Sequence, residues 1–95
     1  MLEIFTDLLT KAEALIVGDS PLLTSWHQDD ATGDPDSQIL YATWESGNLR
    51  FSTRFTEANI AAASFDRETG EFRCPDFDGK VVAIKLFRLT ALTPY

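Results

Sequence analysis

The sequence predicts an α+β fold, with an N-terminal amphipathic helix packed on an antiparallel β-sheet of five or six strands arranged as a meander of hairpins. Three observations carry this reading. Apolar residues recur every three or four positions at the N-terminus, the period then drops to two from Gln38 onward, and turn residues separate the later apolar runs at hairpin distances.

Leu2, Phe5, Leu9, Ala12 and Ile16 share one helical face, which Leu8 and Leu15 widen. Asp7 and Lys11 stand four apart on the wet side in the favourable acid-first order, and Gly18-Asp19-Ser20-Pro21 is a stop. A helix over residues 2–17 is expected. Leu22 to Gln28 reads as a weaker strand.

Gln38 to Glu45 and Leu49 to Thr56 flank Ser46-Gly47-Asn48, a hairpin signal strong enough to derive a register. With Gly47-Asn48 as a two-residue type II′ turn, Ser46 opposes Leu49, Glu45 opposes Arg50, Trp44 opposes Phe51, Tyr41 opposes Arg54 and Leu40 opposes Phe55. Leu40, Trp44, Leu49, Phe51 and Phe55 then form a core face. Ile39, Tyr41, Thr43, Glu45, Arg50, Ser52 and Arg54 form the other.

Residues 57–63 fit either a short helix capped by Thr56 or an extension of the following strand. A second hairpin is expected at residues 66–71, with Gly70 left-handed and Phe65 opposite Phe72. The Asp78-Gly79 turn calls for a wide loop, because a tight one would set Phe72 against Lys85. Val81 to Leu89 is apolar on both faces and reads as a central strand covered on both sides. At 95 residues the chain is expected to form a single domain, residues 1–95.

Composition excludes several classes. The one cysteine, Cys74, rules out an intramolecular disulfide and a thiolate metal cluster within the chain. No apolar run reaches the ~20 residues of a membrane span, and the basic start of a signal peptide is missing, so cytoplasmic residence without membrane attachment is expected. A net charge of −7 disfavours direct nucleic-acid binding. The acidity is local: Met1 to Gly47 holds nine Asp or Glu against one Lys, whereas Asn48 to Tyr95 holds six against seven Lys or Arg.

Candidate chemistry is sparse. His27, the one histidine, lies between Trp26 and Gln28, close to Ser20 and Ser25 in sequence, whereas triads assemble from distant loops. A strand-face histidine bonded to a neighbour is the simpler reading, and Cys74 reads as a small buried hydrophobe. Asp30, Thr32 and Asp34 alternate as calcium ligands would. The EF-hand pattern fails, with Pro35 in place of the turn glycine and Tyr41 in place of the bidentate Glu. No cofactor, metal site or catalytic group is expected.

The function expected is that of a small acidic, non-catalytic interaction protein that binds a basic protein surface, as an inhibitor, nucleic-acid mimic or accessory factor does. Trp26, His27 and Trp44 are the anchors, and Asp29, Asp30, Asp34, Asp36 and Glu45 supply the attraction. A monomer is expected, or a homodimer through an unpaired sheet edge. The alternative is a small-ligand pocket between helix and curved sheet, lined by Tyr41, Arg50 and Arg54 with His27, supporting at most a minor enzymatic activity.

Overall fold

The computed structural model of the protein describes residues 1–88 and the backbone of residues 93–94. The class is α+β with antiparallel sheets. Helix α1 (Leu2–Lys11) buries Phe5 and Leu9. It stops six residues earlier than its periodicity predicts: Ala12 turns extended at φ −70°, ψ 141°, and Ala14–Val17 forms strand β1. The reason is tertiary. β1 pairs with the long strand β7 (Val81–Arg88) from Ala14 opposite Phe87 to Val17 opposite Ile84. Ala14, Leu15 and Val17 are buried there, and β-branched Ile16 and Val17 suit a strand better than a helix. The Gly18 stop, with φ +57°, therefore ends a strand.

Of the segment read as a weak strand, His27–Gln28 alone forms β2, while Leu23 makes an isolated bridge to Leu15. The main hairpin, β3 (Gln38–Ser46) and β4 (Leu49–Thr56), has the derived register at every pair named above. Gly47 takes φ +63°, as the first position of a primed turn requires. Two details of its faces differ. A register shift between Gln38 and Leu40 turns Ile39 into the core beside Leu40, and the hairpin tip overhangs the core, leaving Leu49 65% and Phe51 40% exposed.

The ambiguous stretch is helix α2 (Glu57–Ala61), opened by a capping box in which Asn59 N–H donates to Thr56 Oγ1 and Thr56 N–H donates to Asn59 Oδ1. β5 (Ser64–Asp66) and β6 (Glu71–Pro75) form the second hairpin, with Phe65 opposite Phe72 and Gly70 at φ +72°. The wide loop 76–80 places Phe72 opposite Ile84. β7 is central and buries Ile84 and Leu86 on one face; on the other Ala83, Lys85 and Phe87 are half-buried and Val81 is 65% exposed, so the expected cover on both sides is complete on one face and partial on the other. Leu89 lies outside the described residues.

The expected single sheet is two. One runs β1-β7-β6-β5 with β8 (Thr93–Pro94) also on β7, and the other runs β2-β3-β4. α2 interrupts the meander between β4 and β5 and packs on β3, β4, β6 and α1, so the strands after it join a different sheet. Both sheets contribute to one cluster, including Phe5, Leu9, Ile39, Leu40, Phe55, Ile60, Phe72, Ile84 and Leu86. The Phe72 ring meets Phe5 edge-on at 5.0 Å and Phe65 at 4.8 Å. Among the described residues no helix is long and apolar enough to cross a membrane.

Because Phe72 is fully buried and Leu49 is not, their truncations should differ sharply. Phe72→Ala is expected to lower unfolding free energy by about 3–5 kcal/mol and Leu49→Ala by less than about 0.5 kcal/mol in urea titrations. Equal losses would place the hairpin tip in the core.

Candidate acidic interface

The wet side of α1 and the segment after β2 meet along one surface depression of about 290 Å³, whose walls include Glu3, Asp7, Asp29 and Asp30. Gln28 Nε2 donates to Thr10 Oγ1 at 3.0 Å, and this bond ties β2 to the helix. Four carboxylates from residues 3–30 are thus set side by side on exposed positions. Lys11 Nζ, 3.1 Å from Asp7 Oδ2, offsets one of them. The sequence placed Asp7 on a wet helix face without joining it to the aspartates, since that needs the path of the chain between α1 and β2.

The acidic loop beyond Asp30 is held from beneath. Glu57, the first residue of α2, is 5% exposed, and its carboxylate accepts bonds from Thr32 N–H at 2.8 Å, Thr32 Oγ1 at 3.2 Å and Gly33 N–H at 3.2 Å. Glu57 and Ala58 N–H donate back to Ser37 O and Pro35 O. Asp34 Oδ1 accepts from Asp36 N–H at 2.9 Å, an Asx turn. Sequence reasoning missed Glu57. An acid following a capping threonine normally reads as a solvated first-turn residue, and its partners lie 24 and 25 positions earlier.

The other residues singled out from the sequence fall in separate places. Trp26 and Trp44 are half-buried and pack against the core, so each offers only part of its ring to a partner. His27 is exposed, and its Nε2 lies 3.1 Å from Asp29 Oδ1, beside the acidic depression. Asp34 and Asp36 are exposed on the loop above α2. Glu45 sits at the far end of β3, opposite Arg50, and among the described residues the two form no ion pair.

Tyr41 and Arg54 share a hollow of about 240 Å³ with Ser52, Asp76 and Phe77, in which the Arg54 guanidinium lies 4.1 Å from the Phe77 ring centroid. Arg50 lines a different depression at the hairpin tip, so the three residues do not converge. Cys74 is fully buried, and its thiol donates to Asn59 O at 3.2 Å. Burial, with the nearby Asp76 charge, pushes the thiol up from 9.0 to about 12. Among the described residues no three His, Cys, Asp or Glu side chains converge as a metal site.

Comparison of the chain with protein-family models, with curated proteins and with solved structures finds no match.

Two outcomes test this geometry. Glu57→Ala should lower stability by about 1–3 kcal/mol and speed hydrogen exchange at the Thr32 and Gly33 amides; unchanged exchange would show that the loop is held by other bonds. Cys74 should resist alkylation in the native protein at pH 8 and react once urea unfolds it. Since folding raises its pKa, the neutral thiol's contribution to stability is whole below about pH 9 and lost as pH rises towards 12, which melting curves across that window would register.

Proposed function

We propose that the protein is a small non-catalytic interaction module that docks its acidic face on a basic protein surface, as an inhibitor, mimic or accessory factor would. The observation that carries this reading is the meeting of Glu3, Asp7, Asp29 and Asp30 around one depression. Exposed like charges on neighbouring elements cost folding energy through repulsion, and a cationic partner relieves that cost while steering association. The bonds from Glu57 hold the adjoining loop in a set conformation, which reduces the entropy lost on docking. His27, beside Asp29, borders the same region.

The small-ligand alternative rests on the hollow with Tyr41 and Arg54. At about 240 Å³ it falls below the ~300–1,000 Å³ of most ligand pockets, and Arg54 is already engaged with Phe77. The acidic face is the better supported site.

The test is retention of basic proteins from cell lysate on the immobilised protein at low and high salt, with the retained partner then purified and titrated. The variant carrying Glu3→Gln, Asp7→Asn, Asp29→Asn and Asp30→Asn should bind that partner about tenfold or more weakly and with a flatter salt dependence. Asp34→Asn with Asp36→Asn, away from the depression, should cost less. Equal affinity for the quadruple variant would dismiss the acidic face.

A further inference from the structure

The three-stranded sheet ends in an edge that is open over a short and definable length. In the β3-β4 hairpin the pair closing the two-residue turn, Ser46 with Leu49, exchanges both backbone bonds, and such pairs alternate along the ladder. Arg50, Ser52 and Arg54 therefore aim their N–H and C=O groups away from β3. The third is taken, since Phe77 N–H donates to Arg54 O at 3.2 Å. Among the described residues nothing pairs with the outward groups of Arg50 and Ser52.

Beside this edge runs a groove of about 540 Å³ between the inner face of the hairpin tip and the start of β7. Trp44 and Phe51, stacked at 5.8 Å, form one wall, and Val81 and Val82 help form the rest, together with the polar residues Asp19, Asp76 and Lys80. Phe51 and Val81 are substantially exposed here, and Leu49, further along β4 at the turn, is 65% exposed. On the outer face Arg50 is exposed and, among the described residues, without an ion pair.

We propose that the β4 edge takes up a short extended peptide as an added antiparallel strand, with apolar side chains entering the groove and an acidic side chain beside Arg50. Side chains alternate along a strand, which sets the pattern: opposite Ser52 a small polar residue faces out, opposite Phe51 an apolar residue faces the groove, opposite Arg50 an acid faces out, and opposite Leu49 a second apolar residue faces in. Backbone bonds at Arg50 and Ser52 supply the attachment. The Arg50 guanidinium, which lies opposite Glu45 across the hairpin but forms no ion pair with it, selects an acid over a base on its open side, by the rule for directly opposed charges.

A second copy of this chain fits the edge less well. Pairing two β4 strands about Ser52 sets Arg50 against Arg54 of the other copy, like charges face to face. Pairing about Phe51 brings Asn48 of the other copy opposite Arg54, where Phe77 already sits. The open length suits a partner that runs alongside for about four residues and then leaves.

The probe is a dye-labelled, end-capped peptide reading serine, valine, glutamate, valine, serine, titrated against the full chain by fluorescence anisotropy. Saturable binding is expected, weakened at least about threefold by glutamate-to-lysine exchange in the peptide, with Arg50→Glu reversing that preference. Methylating the backbone nitrogen of the glutamate should abolish it. So should Ser52→Pro, which removes an outward N–H from an edge strand, and an unchanged melting temperature would show that this variant still folds. The proposal is overturned if no saturable binding occurs at millimolar peptide, or if binding survives both N-methylation and Ser52→Pro. A concentration-dependent dimer dispersed by Ser52→Pro would assign the edge to a second copy and overturn it equally.

Discussion

The reciprocal bonds between Thr56 and Asn59 end β4 and begin α2, and most of the architecture follows from that change of direction. Without the capping box, Thr56 to Phe65 would be free to continue as strand and the meander would run on in one sheet. With it, α2 turns Ile60 into the core and delivers the chain to β5 in the other sheet. The next residue along, Glu57, points its carboxylate under the acidic loop. Two adjacent side chains thus divide the strands and shape the surface beside the candidate interface.

The second organising constraint is β7. It is flanked by β1 on one side and β6 on the other, and its register draws Ala14–Val17 out of the helix that their spacing suggests. A helix over residues 2–17 would have left one edge of β7 unpaired against the core. The ladder with β1 satisfies that edge and buries Leu15 and Val17, gains that intrinsic helix propensity does not match. The shortened α1 then lies where its wet side can meet the segment after β2.

The acidic depression and the groove beside Trp44 and Phe51 lie on different parts of the molecule. The acidic depression is built by α1 and the β2 end of the smaller sheet, while the Trp44 and Phe51 stack stands at the tip of β3-β4 beside loop 76–80. Three residues along β3, about 10 Å of strand, separate Tyr41 at the level of His27 from Trp44. The residues grouped from the sequence as one partner surface are therefore two surfaces with different chemistry. One carries carboxylates, and the other offers backbone groups and apolar area.

What the sequence determined by itself is what neighbouring residues can encode. Gly47-Asn48 with period-two flanks set the register of β3 and β4, and Asp66 to Glu71 with Gly70 set Phe65 opposite Phe72, because turn chemistry and alternation act over a few residues. The burial of Cys74 was legible in the same way, from its strand and its neighbours. Only the tertiary structure decided where α1 stops, that Ile39 turns inward while Leu49 and Phe51 overhang, that the strands divide into two sheets, and that Glu57 binds Thr32 and Gly33. Each of these depends on partners far along the chain, whose positions exist only once both sheets and α2 have packed.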